Sequence, residues 1–105
     1  MKNYLSWCSV SVNGGKASSS SAQTVCVSPA TLPVAATALP GFELGATPWH
    51  GTTGDTGSGD PGTVTGTGQG ATSTTSVVVG ASGACAWVCC ETKGSHDCPP
   101  TTLCP

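Results

Sequence analysis

Five of the seven cysteines in this 105-residue chain fall within its last twenty-one residues: Cys85, Cys89, Cys90, Cys98 and Cys104. Cys8 and Cys26 stand far upstream. This spacing restricts the fold more than any other feature. Cys89 and Cys90 are neighbours, and side chains on adjacent residues diverge, so the two must reach separate partners. In so short a chain seven cysteines indicate an oxidising compartment or a metal. An odd count leaves one thiol free or bonded between molecules. All seven are candidate disulfide residues. Cys8 and Cys26 are expected either to bond each other or to send one bond each to the terminal cluster. A Cys8–Cys26 bridge would close a loop of seventeen residues, worth about 3 kcal/mol of chain entropy. The segment beyond Glu91, with Cys98 or Cys104, is the expected donor of a link between molecules.

The chain needs such staples. It has sixteen large aliphatic or Phe residues and no Ile, too few for a substantial core. The charged fraction is 8%, against about 25% in ordinary domains. Disorder caused by high charge is therefore excluded too. A net charge of −2 provides little repulsion between copies. A surface of hydroxyls, glycine and small apolar groups tolerates an identical neighbour. Three lysines and no arginine supply no phosphate-binding patch, which sets nucleic acid aside. Residues 61–90 are uncharged, yet their Gly, Ser and Thr content is too high for a membrane span. The run after Tyr4 is too polar for a secretion signal. No Asn-x-Ser/Thr acceptor occurs, but the abundant Ser and Thr are candidate sites for O-linked glycans.

Turn residues and β-branched runs predict an all-β fold: a small Gly/Thr-rich sandwich or jelly-roll-like domain with a disulfide-stapled C-terminal segment. Residues 1–84 form its β-rich part, and residues 85–105 the cysteine-rich segment of the same domain. Alternation predicts a strand over 4–12, with Cys8, Val10 and Val12 on one face and Leu5 and Trp7 on the other. Asn13-Gly14-Gly15 is a turn, because Asn and Gly accept positive φ. Further strands are predicted over 23–28, around 31–36 and 41–45, and over 72–80, where Val and Thr crowd together. The last could pair with 83–91 through a turn at Ala81-Ser82. Five prolines between Pro29 and Pro61 exclude a long helix there. Glycine recurrence from Gly51 to Gly70 reads as a loop or an extended Gly/Thr segment, since three collagen-like triplets cannot sustain a triple helix.

Other chemistry is weaker. Zinc could use Cys85, Cys89 or Cys90, His96, Cys98 and Cys104, but His96-x-Cys98 is too close for an ordinary second ligand pair. Disulfides are the simpler reading, and no metal or other cofactor is expected. Asp55-Thr56-Gly57-Ser58 spells the aspartic-protease triplet, but without hydrophobic strands to bury a carboxylate pair. Asp55 and Asp60 could grip calcium only weakly, and Gly57-x-Gly59-Asp60 occurs once where calcium repeats need stacked copies. His50 and His96 lack triad partners, and His50 is expected to pack on the surface beside Trp49. No pair of carboxylates is evident. The cysteine order from Cys26 onward resembles that of inhibitor-knot peptides, but fifty-eight residues separate Cys26 from Cys85, so no function follows from it.

The expected function is non-enzymatic: a self-assembling structural subunit of an extracellular or cell-surface filament, appendage or coat, whose partners are copies of itself. Open strand edges would template addition, and cysteines would lock the contacts. The alternatives are a secreted cysteine-rich monomer (toxin, inhibitor or ice-binding protein) and a lanthipeptide-like precursor. An ice-binding protein would need rows of Thr on one flat face.

Overall fold

The computed structural model describes residues 1–51, 59–66, 70–92, 94 and 98. Among these residues seven strands run β1 (Lys2–Tyr4), β2 (Cys8–Val12), β3 (Ala30–Ala38), β4 (Phe42–His50), β5 (Thr63–Thr65), β6 (Thr72–Val79) and β7 (Trp87–Thr92). They form two sheets, ordered β1-β7-β4 and β2-β3-β6-β5. All pairings are antiparallel except β1 with β7. The predicted all-β class holds. Among the described residues no helix is long and apolar enough to cross a membrane.

Period-two alternation builds the core. In β3, Leu32, Val34, Ala36 and Ala38 turn inward and are buried, while Thr31 and Pro33 between them face water. Val10 and Cys8 of β2 and Val77 of β6 join this layer. Trp49, Val88 and Cys90 of the other sheet close over it. Most of these side chains are small, so the sheets meet over a thin core in which Trp49 is the largest fully buried side chain. Pro33 is tolerated in a central strand for a geometric reason. Its carbonyl accepts the Asn13 N–H at 2.8 Å, so its nitrogen faces the same side, where β2 has ended.

The predicted strand over 4–12 breaks in two. Leu5 and Ser6 both take φ of 57°, and the chain crosses there from one sheet to the other. Asn3 makes the break workable: buried, it donates from Nδ2 to the Cys8 carbonyl at 2.6 Å and accepts the Cys8 N–H on Oδ1 at 3.3 Å. Trp7 stacks on Phe42 with ring centroids 4.6 Å apart, beside the second crossing at Leu39–Gly41. The Asn13-Gly14 turn forms as expected, with φ of 53° and 72° and Gly15 N–H bonded to the Val12 carbonyl at 3.0 Å.

Two expectations are corrected. Residues 23–28 form no strand; instead the chain before them runs along two sheet edges. Ser18 exchanges both backbone bonds with Val10, and Ser21 to Gln23 bond to Asn3 and Met1. The hairpin proposed between 72–80 and 83–91 stops at one bridge, Gly80 to Gly83. β6 and β7 then part into different sheets, because β7 carries the inward Val88 and Cys90 that must oppose β6 rather than extend it. Thr63–Thr65, in the stretch read as a loop or an extended Gly/Thr segment, adds an edge strand to β6.

Candidate functional site: cysteine framework and open surfaces

β7 explains the adjacent cysteines. Successive side chains of a strand point to opposite faces, so Cys90 faces the core and Cys89 the outside. Cys90 bonds Cys8, joining the two sheets across a sequence separation of 82, and Cys89 bonds Cys98, nine residues on. Cys85 is also disulfide-bonded. The separate partners inferred for Cys89 and Cys90 are therefore present. The Cys8–Cys26 bridge is not: Cys8 goes to the terminal cluster, and Cys26 is an exposed free thiol. The odd thiol is thus upstream rather than at Cys98, because the outer face of β7 holds Cys98 within its own chain. Cys85, Cys89, Cys90 and Cys98, the candidate zinc ligands, are oxidised and offer no thiolate. These bridges mark a protein of an oxidising compartment.

Cys26 lines a groove of about 960 Å³ at one end of the sandwich. One wall is the inner face of sheet β2-β3-β6-β5, with Val12, Leu32, Val77 and Val79, and the rim carries Val25, which is 46% exposed. Met1 sits at the same mouth. Its ammonium donates to the Gln23 carbonyl at 2.9 Å, and burial, then the charge of Lys2, hold its pKa below the ordinary amine value.

The opposite side of that sheet is a field of hydroxyls. Cross-strand partners share a face, and the registers set out two full rows across four strands: Ser9, Thr37, Thr72, Thr65 and Ser11, Ala35, Thr74, Thr63. Seven of these eight positions carry a hydroxyl, and Thr31 and Ser76 extend the field. Thr37 and Thr72 bond each other at 2.7 Å. Thr74 donates to the Thr63 carbonyl at 3.4 Å and Thr65 to the Thr72 carbonyl at 3.5 Å. Neither row contains a charged or aromatic side chain.

A polar seam joins the sheets near the β4 end. Trp49 Nε1 donates to Ser73 Oγ at 2.8 Å, which in turn donates to the Pro61 carbonyl at 2.8 Å. Asp60 exchanges backbone bonds with Trp49 and accepts Thr75 Oγ1 at 2.6 Å and the Gly62 N–H at 3.0 Å. The carboxylate weighed for calcium thus serves this seam. Gly62, at φ 67°, is required here, since a Cβ would meet the Thr74 carbonyl at 2.7 Å and Trp49 Nε1 at 2.9 Å. His50 stacks on Trp87 with centroids 4.0 Å apart, matching the packing role expected of it.

One feature escaped sequence reasoning. β4 and β7 set Glu43 directly opposite Glu91, a pair of carboxylates 48 residues apart in sequence. Glu91 is buried beside Gly45, and Glu43 accepts the Gly94 N–H at 3.2 Å. Only the register between the strands could have revealed it. Among the described residues no group of three or more His, Cys, Asp or Glu side chains is placed to hold a metal ion. Asp55-Thr56-Gly57-Ser58, His96 and Cys104 lie outside the described residues.

No known protein family, curated protein or solved structure matches the chain.

Proposed function

We propose that this chain is a self-assembling structural subunit of an extracellular filament, appendage or coat, without catalytic activity, and that Cys26 links it covalently to a second copy. The observation that carries this reading is the thiol itself. Cys26 is exposed and unbonded on a chain whose other described cysteines are all oxidised. In the compartment that forms those bridges, a small-molecule disulfide such as oxidised glutathione takes up two electrons and two protons as two Cys26 thiols join. The mixed disulfide with one thiol is the intermediate. A Cys26–Cys26 bond is isologous, placing the same groove of each copy beside the other. Nothing in the charge of the chain opposes that approach. Exposed Ser19, Ser20 and Ser21 are among the accessible hydroxyls for O-linked sugar.

Edge pairing has a smaller part than the sequence suggested. Residues 18–23 cover the outer edges of β1 and β2 with the chain's own backbone, and Asp60 pairs with Trp49 on the outer edge of β4, so among the described residues the start of β4 and the three-residue β5 are the edges left for addition.

The test is non-reducing electrophoresis and intact mass of protein purified under oxidising conditions. A dimer band that collapses with reductant and is lost in Cys26→Ser is the expected result. Wild-type protein that remains monomeric, with Cys26 free or capped by a small thiol, overturns the covalent link.

A further inference from the structure

We infer that the hydroxyl face of sheet β2-β3-β6-β5 is a second assembly surface, on which the same face of another copy packs. This inference rests on the self-assembly reading above but concerns a different side of the molecule. Cys26 lies at the mouth of the groove bounded by the inner face of this sheet, whereas Ser9, Thr37, Thr72, Thr65 and their neighbours point outward from it.

The chemistry of the face selects the occupant. With no charged side chain in its two full rows, it offers nothing to nucleic acid or an anionic surface, and it does not repel itself. It also lacks the aromatic rings that would stack on a sugar. The rings of Trp7 and Phe42 pack together, Trp87 packs on His50 and Trp49 is buried. A planar crystal such as ice is a poor match for shape, because neighbouring strands rotate by about 20–25° and four of them form a saddle. Another sheet of the same hand fits that saddle, as two sheets pack face to face at about 30° in sandwiches.

Self-packing also satisfies the hydroxyls. Each Ser or Thr oxygen donates once and accepts twice, so Thr65 and Thr74, which donate to backbone carbonyls of their own sheet, still accept from an opposed copy. Thr methyls, Ala35, Pro33 and the 55%-exposed Val78 supply apolar contact. At strand spacings of about 4.8 Å and rises of about 3.3 Å per residue, strands of five, nine, eight and three residues make a face of about 400 Å². Two faces together then bury about 800 Å², short of the roughly 1,000 Å² that a specific interface needs by itself. The contact is accordingly weak alone and strengthened when a Cys26 bond raises the local concentration. Two different isologous contacts on one subunit alternate along a row of copies, which builds an open polymer where their two-fold axes do not meet and a closed assembly where they cross at a suitable angle.

The face is read in Cys26→Ser protein, where the covalent link is absent. Analytical ultracentrifugation from micromolar to millimolar concentration is expected to show reversible dimers. Adding Thr74→Lys, or Thr63→Lys in the same row, sets like charges against each other and is expected to weaken association by about tenfold or more. Ala46→Lys, an equal charge on the other sheet, leaves association unchanged. Near-UV circular dichroism of each variant confirms the fold, and the two lysine positions on separate strands guard against one failing to fold. A Cys26→Ser protein that stays monomeric throughout, or dimers unaffected by both row lysines, overturns the inference. So does retention of the monomer on crystalline polysaccharide or ice that Thr74→Lys abolishes, which gives the face to that partner. Failure of the Cys26 link appears separately, on the wild-type non-reducing gel.

Discussion

Ser73 does more than its size suggests. It is fully buried, and its one hydroxyl both accepts from Trp49 and donates to Pro61. Removing a partner from a buried donor costs about 1–3 kcal/mol, more than the net worth of the bond, because the donor has no water to turn to. Ser73→Ala is therefore expected to destabilise the protein by about that amount and to lower the urea midpoint read by tryptophan fluorescence. Gly62→Ala acts on the same spot by a different route: its methyl would meet Trp49 Nε1 at 2.9 Å and take a left-handed φ. It should destabilise at least as much. The seam matters because the apolar layer around it is built from Val and Ala, which leave little reserve.

β7 is the element on which the fold depends. It is central in its sheet, and five of its six residues are buried. Its alternation sends one cysteine to each face, so a single strand is stapled inward to β2 and outward to Cys98. The two staples differ in worth. In the loop-entropy model a bridge across 82 residues stabilises by about 4.5 kcal/mol. One across nine residues stabilises by about 2.6 kcal/mol. The paired variant Cys8→Ser with Cys90→Ser is expected to lose more stability in denaturant than Cys89→Ser with Cys98→Ser. It should also lose cooperativity, since only the first pair joins the sheets. Equal losses, or the reverse order, would show that packing beneath Cys98 outweighs chain entropy.

At the scale of the whole molecule the thin core and the bridges stand or fall together. The two described bridges contribute about 7 kcal/mol in the same model, a large share of the 5–15 kcal/mol that holds an ordinary domain folded. Fixing each glycine-rich segment costs backbone entropy of about 1–2 kcal/mol per residue. Complete reduction is therefore expected to unfold the isolated chain at room temperature, with loss of the near-UV dichroism of its tryptophans. Reoxidation should restore it. A reduced chain that kept a cooperative thermal transition would show that the two sheets hold without their staples. Within an assembly the same reduction should do less, since burial against a neighbouring copy stabilises the folded state by mass action.

Much of this was legible in the residues. Alternation at Cys8, Val10 and Val12, the Val and Thr run at 72–79, and Asn13-Gly14 each follow from local geometry, so the all-β class and several strands could be read directly. The divergence of Cys89 and Cys90 is likewise a property of any strand. What local pattern could not decide was which strand lies beside which. The break at Leu5-Ser6, the parting of β6 from β7 and the short β5 depend on which inward faces must be covered, a condition set across the whole chain. The same holds for the sites. Cysteine count showed that one thiol would be left over, but pairing is settled by which sulfurs the packed sheets bring within bonding distance. That condition joins Cys8 to Cys90 and leaves Cys26 outside. The hydroxyls of Ser9, Thr37, Thr72 and Thr65 are scattered over 64 residues of sequence. They become one row only when three strand registers align them, because a sheet's surface is composed across strands rather than along them.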